Sequence, residues 1–144
     1  ILCTQNVDDL HERGGARDVV HMHGQLLKVR CLACGDLADW RVDAGLDSAC
    51  PACGAVGRLR PDVVWFGETP LHLDVIYDAV TDVDLFVSIG TSGSVYPAAG
   101  FPILAKRNGA KLAIVNRDPT DMDDHADLVL NEEIGPVMTE VVPL

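Results

Sequence analysis

The chain has no stretch of apolar residues long enough to cross a bilayer, no internal repeat and no low-complexity segment. It is also poor in basic residues: 11 Lys and Arg stand against 22 Asp and Glu, for a net charge of −11 and a pI near 4.6. That balance disfavours nonspecific binding to nucleic acid or to an anionic membrane. It leaves open a basic partner such as a lysine-rich segment, or a plain role in solubility. Two nucleotide signatures are absent as well: a Gly-x-Gly-x-x-Gly fingerprint and a P-loop ending in Gly-Lys-Ser/Thr. The 144 residues, 48% of them hydrophobic, are enough for one ordinary domain, or for a small domain with an insertion. The sequence begins inside the apolar run Ile1-Leu2-Cys3 and is expected to be a fragment of a longer protein.

Cysteine is where the sequence is most specific. Cys31-Leu32-Ala33-Cys34 is followed after fifteen residues by Cys50-Pro51-Ala52-Cys53. Two Cys-x-x-Cys turns at this spacing read as one tetrahedral zinc site, each turn presenting two sulfurs. A single pair would also suit redox chemistry, and two disulfides in a secreted protein are the alternative for both. Matching glycines, Gly35 and Gly54, follow the two pairs. With four sulfur ligands no position stays open for water, so the expected ion holds structure and does no chemistry. The fifth cysteine, Cys3, sits among apolar residues and is expected to be a buried core thiol. Zinc-type cysteines plus an unpaired thiol point to a reducing, cytoplasmic setting.

The rest of the chain alternates strand, polar tip and helix. Ile1–Thr4 reads as a buried strand whose carboxyl end carries Gln5, Asn6, Val7 and Asp8. Ligands of open parallel sheets bind at such ends, although Asn6 or Asp8 would equally well cap the short helix before Gly14-Gly15. In Val19-Val20-His21-Met22-His23-Gly24 the two histidines share a face if extended. His23 is a candidate general base, with Gly24 leaving room for a substrate, and a hydrogen-bonded structural histidine is the alternative. Val63–Phe66 reads as a β-prone run, either an ordinary strand or an edge that pairs with an extended peptide. A helix is expected from Thr69-Pro70 to about Val80, with Val75, Ile76, Ala79 and Val80 on one face. The strand around Leu85–Ile89 runs into Gly90-Thr91-Ser92-Gly93, which suits phosphate or ribose. A helix from Pro97 ends at Gly109, and the strand Lys111–Val115 ends in Asn116-Arg117-Asp118, either a ribose-holding tip or a turn. Asp127–Leu130 and Ile134–Val142 read as a last strand and a terminal helix. The fold class is α/β, a Rossmann-like parallel sheet over 1–24 and 61–144 with a small zinc-binding module, 25–60, inserted.

Thr4-Gln5-Asn6-Val7-Asp8, His23-Gly24, the four cysteines, Val64-Trp65-Phe66-Gly67-Glu68, Gly90-Thr91-Ser92 and Asn116 stand in the order seen in sirtuins. The chain resembles that family, NAD-dependent protein-lysine deacylases, over essentially its whole length. The wording of the motifs looks most like the bacterial, desuccinylase-like branch. The resemblance implies NAD+ and one structural Zn2+, and transfer of an acyl group (acetyl, with succinyl or malonyl as further candidates) from lysine to give nicotinamide and O-acyl-ADP-ribose. His23 is similar to the family's general base. Gln5, Asn6, Val7 and Asp8 resemble its nicotinamide and ribose contacts. Gly90, Thr91, Ser92, Asn116, Arg117, Asp118 and Ile134 resemble the adenosine side. Val64, Trp65, Phe66, Gly67 and Glu68 resemble the loop that holds acyl-lysine, and Cys31, Cys34, Cys50 and Cys53 the zinc ligands. Acyl-lysine proteins or peptides are the implied partners, with neither nucleic acid nor membrane, and the intact protein is expected to be a monomer. The family's opening Gly-rich loop and first strand, and its Tyr-x-x-Arg pair for acidic acyl groups, are not found and are expected upstream. The alternatives are a module that binds nucleotide or acyl-peptide without turnover, and a zinc-ribbon interaction protein.

Overall fold

The computed structural model describes residues 1–141. The chain falls into two compact units, 1–73 and 74–144. In the first, β1 (Leu2–Thr4) and β2 (Val19–His21) pair in parallel, Leu2 opposite Val19 and Thr4 opposite His21. A parallel pair needs a crossover, and here it carries the short helix α1 (Leu10–Arg13). The pairing continues as a bond from Met22 N–H to the Thr4 carbonyl, and Met22 is among the most buried side chains. Cys3, expected in the core, is instead exposed. Among the described residues its strand pairs on one edge, with β2, and its neighbours Ile1 and Leu2 are exposed too.

Past Gly24 the first unit turns antiparallel. β3 (Gly24–Cys31) lies between β4 (Leu37–Asp39) and β5 (Leu59–Val63). Pro61 is tolerated within β5 because this is an edge strand. The β-prone run expected to reach Phe66 stops at Val63, where Trp65–Glu68 closes a turn through Glu68 N–H to the Trp65 carbonyl at 2.9 Å.

The second unit is a parallel three-stranded sheet in the order β6 (Leu85–Ile89), β7 (Lys111–Val115), β8 (Leu128–Leu130). Its helices are α2 (Leu73–Thr81), α3 (Phe101–Arg107) and α4 (Ile134–Val141). α2 begins four residues later than Thr69, since His72 takes a left-handed φ of 58° that no helix continues through. Ile76 and Val80 are its buried face, while Val75 is exposed. α3 packs on β6 and β7; it begins at Phe101 rather than Pro97, a 3-10 turn over Ala98–Gly100 preceding it, and ends at Arg107, with Asn108 as cap and Gly109 beyond it at φ 100°. Ala105, Leu112 and Ile114 form the driest part of this core, and Tyr77 meets Phe101 edge to face at 5.5 Å. α4 carries Pro136 in its first turn, and Val142, its expected last residue, lies outside the described residues. No helix among the described residues is long and apolar enough to cross a membrane.

Candidate functional site

Parallel pairing sets the carboxyl ends of β1 and β2 side by side, which brings the Gln5–Asp8 segment against the two histidines. Thr4 Oγ1 accepts the Asn6 N–H at 3.1 Å, and Asp8 Oδ1 accepts the Leu10 N–H at 3.0 Å. Neither Asn6 nor Asp8 is the cap of α1: the N-cap position is Asp9, and Asp8 closes a turn just ahead of it. His23 Nδ1 lies 3.0 Å from the Gln5 carbonyl oxygen. A carbonyl can only accept, so Nδ1 carries a proton; in the neutral ring the lone pair is then on Nε2, the tautomer that proton removal requires. His23 is half-buried and is not part of the cysteine cluster.

His21 bonds the same segment one residue further on. Its Nδ1 is 3.3 Å from the Asn6 carbonyl oxygen and its Nε2 is 2.6 Å from Glu12 of α1. The bond to His21 is the main cause that holds the Glu12 carboxyl below its ordinary range. The two histidines therefore grip consecutive carbonyls of the polar tip. The sequence shows the alternation that makes this possible but does not point to Glu12 as the partner.

Gly24 is held by the protein itself. Its φ is 85°, and a Cβ there would collide with the Asp62 carbonyl of β5. The expected open approach for substrate is filled by a strand, because Gly24 pairs with Val63. One residue on, Val64 N–H donates to the His23 carbonyl at 2.9 Å. The candidate base and the candidate substrate loop are thereby tied through main chain.

Val64 is half-buried, and Trp65, Phe66, Gly67 and Glu68 are exposed, Phe66 fully. Glu68 turns back onto Arg60, which donates Nη1 to Oε1 at 2.6 Å and Nη2 to Oε2 at 3.0 Å. Arg60, and after it the Trp65 N–H, hold the Glu68 carboxyl at about 2. Beside this loop lies a cleft of about 410 Å³ whose lining includes Arg30, Arg60, Asp62, Val64 and Glu68. Arg30 spans to the buried Asp62 with Nε at 3.0 Å and Nη2 at 2.7 Å. Arg60, Arg30 and Asp62 were not candidates from sequence. The available signal was an Arg and a Glu flanking one turn.

The cysteine cluster is built from two copies of one turn. Gly35 N–H donates to the Cys31 carbonyl and Gly54 N–H to the Cys50 carbonyl, each at 2.8 Å, with both glycines left-handed. The four Sγ atoms lie within 4.8 Å of one another. Cys31–Cys53 and Cys34–Cys50 are each 3.8 Å apart, far beyond a disulfide's roughly 2.05 Å. A tetrahedron of sulfurs about 2.3 Å from a central ion has edges of about 3.8 Å. The four cysteines are positioned to bind a zinc ion. Backbone N–H groups of Ala33 and Cys34 pull the Cys31 thiol down, while the neighbouring sulfurs push Cys34 up, so the thiols share their charge rather than ionising alike.

In the second unit, Ile89 is in register with Val115, so Gly90-Thr91-Ser92 and Asn116-Arg117-Asp118 emerge at the same end of the sheet. Gly90 N–H donates to the Val115 carbonyl at 3.0 Å. Gly90 takes a φ of 64°, and a Cβ there would stand 2.9 Å from Ile134 Cδ1, so Ile134 of α4 packs over this turn. Asn116 Nδ2 donates to the Asp118 carbonyl at 2.7 Å, and Ser92 and Ser94 share a hydrogen bond of 2.7 Å. Arg117 and Asp118 are exposed. The structure thus gathers Gly90, Asn116 and Ile134 at the strand tips where nucleotides bind in such sheets.

The model of the Sir2 family matches residues 1–97. The chain is 48% identical over 141 residues to the NAD-dependent protein deacylase of Bdellovibrio bacteriovorus, covering 98% of this chain and 58% of that protein. Among solved structures, a Sir2 homolog–NAD complex matches with TM-score 0.87 and 40% identity, over 97% of this chain and 56% of that one. A Sir2–p53 peptide–NAD+ complex matches with TM-score 0.82 and 30% identity, over 96% and 61%. The chain spans about half the length of the curated relatives it matches. With its four-cysteine cluster and parallel sheets, the chain belongs to the Sir2 family.

Proposed function

We infer that this chain carries the base and the acyl-lysine loop of an NAD-dependent protein-lysine deacylase. The observation that carries the reading is His23, whose proton is fixed on Nδ1 by the Gln5 carbonyl while its main chain is bonded to Val64. Bound NAD+ would supply an electrophilic ribose carbon once nicotinamide leaves, which the acyl oxygen of the lysine amide can attack. His23 Nε2 would then be placed to accept a proton from a ribose hydroxyl of the bound cofactor. An amide oxygen is a weak nucleophile, so the loop from Val64 to Glu68 contributes by holding it close and in line.

Gln5, Asn6, Val7 and Asp8 would hold the nicotinamide side. Gly90, Thr91, Ser92, Asn116, Arg117, Asp118 and Ile134 would hold the adenosine side. Val64 would bond the extended acyl-peptide main chain to main chain, and Trp65 and Phe66 would flank the neutral lysine stem. A charged lysine would lose solvation there without a partner. Residues 25–60 serve as the zinc-held module of this domain. A reducing, cytoplasmic setting suits the four thiolates. The test is His23→Ala in the full-length protein. Nicotinamide release with NAD+ and an acetyl-lysine peptide should vanish while zinc stays at one ion per chain. Retained turnover would remove His23 from this role.

A further inference from the structure

We propose that Arg60 is a positioning residue which, with Glu68, locks the Val64–Gly67 loop into the shape that receives the acyl-peptide, an inference that rests on the deacylase reading. One guanidinium closes the loop at both ends. Nη1 and Nη2 take the two Glu68 oxygens at 2.6 and 3.0 Å, and Nη2 also donates to the Val63 carbonyl at 2.9 Å. Glu68 Oε2 in turn accepts the Trp65 N–H at 2.9 Å, and the Arg60 carbon Cζ lies 5.8 Å from the centre of the Trp65 ring. The Arg60 bonds fall on the two residues that flank the loop, Val63 and Glu68, and Glu68 carries the grip on to the Trp65 N–H inside it.

The pair is too open to be a stability device. Arg60 is 29% exposed and Glu68 43%, and ion pairs so exposed to water add little to folding. What a two-pronged pair does supply is geometry. A loop that binds an extended peptide through its own main chain loses its freedom on binding unless it is already ordered. Arg60 pays that ordering in advance, and it does so beside the peptide and not beside the cofactor. Its loss should therefore weaken peptide and leave the other substrate and the chemical step alone. A lysine carries the charge but not the fork, and cannot reach two carboxylate oxygens and a carbonyl together.

The experiment is a double-mutant cycle in the full-length protein with Arg60→Ala, Glu68→Ala and the pair, plus Arg60→Lys. Peptide KM, NAD KM, kcat, zinc content and amide exchange at Trp65 and Glu68 are read for each where the residue remains. Arg60→Ala should raise peptide KM roughly tenfold, with kcat and NAD KM within about twofold and one zinc retained. Trp65 exchange should quicken. In the Glu68→Ala background the same substitution should change peptide KM by less than about twofold, because the partner is already gone. Arg60→Lys should resemble Arg60→Ala. An unchanged peptide KM, a parallel rise in both KM values, full additivity or loss of zinc would each overturn the assignment. If the wild-type protein shows no NAD-dependent turnover, it is the deacylase reading that fails. Trp65 exchange then decides the lock on its own, faster in Arg60→Ala supporting it and unchanged refuting it.

Discussion

Gly24→Ala should be among the most damaging single-methyl changes available to this chain. Gly24 sits at φ 85°, where a Cβ costs an L-residue about 1–2 kcal/mol before any contact is considered. The added methyl would overlap the Asp62 carbonyl oxygen and stand 2.8 Å from its carbon and 3.1 Å from Val63 Cα. All three are main-chain atoms of β5, so no side chain can rotate out of the way, and overpacking of this kind costs about 1–3 kcal/mol. Together these give about 2–5 kcal/mol out of the roughly 5–15 available to a domain. Relief requires β3 and β5 to part at Gly24 and Val63, and that movement also strains the bond from Val64 N–H to the His23 carbonyl. Urea unfolding of the zinc-loaded full-length protein, followed by circular dichroism, measures the first effect. With slopes of about 1–3 kcal/mol per molar the midpoint should fall by about 1 M or more. Nicotinamide release measures the second and should fall at least about tenfold. A variant that unfolds at the wild-type midpoint and turns over at the wild-type rate would refute the argument from close approach.

Other substitutions probe other parts of the structure. Cys50→Ser leaves three thiolates, and metal analysis should show zinc falling from one per chain toward none together with a lower unfolding midpoint; an unchanged midpoint would deny the ion a structural role. Leu112→Ala, at a position with 0% exposure, should cost about 2–5 kcal/mol, while Leu46→Ala, at 87% exposure, should stay within about 0.5 kcal/mol by the same titration. Asp127 accepts Lys106 at 2.8 Å and the Leu112 N–H at 2.8 Å, which hold its carboxyl well below the ordinary range. Because its folded value is depressed, its contribution is full above the ordinary carboxylate value of about 4 and drains away as pH falls below it. The midpoint of Asp127→Asn should lie below wild type at neutral pH, with the gap narrowing steadily in acid; a gap independent of pH would refute the ion pair.

How much of this was legible in sequence depended on whether the signal was local. The two Cys-x-x-Cys-Gly turns announce their geometry within five residues each, and the structure repeats it down to the same N–H to carbonyl bond. The strands at Leu85–Ile89 and Lys111–Val115 were readable because each is a mostly apolar run ending in a polar turn, although only β7 buries its side chains and β6 leaves Leu85, Val87 and Ile89 exposed. Local propensity failed where distant main chain intervened. Val64-Trp65-Phe66 has every mark of a strand, yet Glu68 and Arg60 draw it into a turn. Thr69-Pro70 looks like a helix start, and the left-handed His72 postpones it. Cys3 reads as core from its apolar neighbours, but burial depends on what packs over a strand, which spacing does not encode. Glu12, Arg60 and Asp127 escaped notice for one reason. Each is an ordinary surface charge in sequence and acquires a task only from a partner that folding brings to it.

The bond between Val64 and His23 is made of an amide and a carbonyl alone. Nineteen of the twenty amino acids supply that amide; only proline lacks it. Residue 64 can thus vary in bulk, branching or polarity while the imidazole keeps its seat. Diversification of the neighbouring pocket and preservation of the His23 main-chain contact are separable here, because they draw on different atoms of one residue.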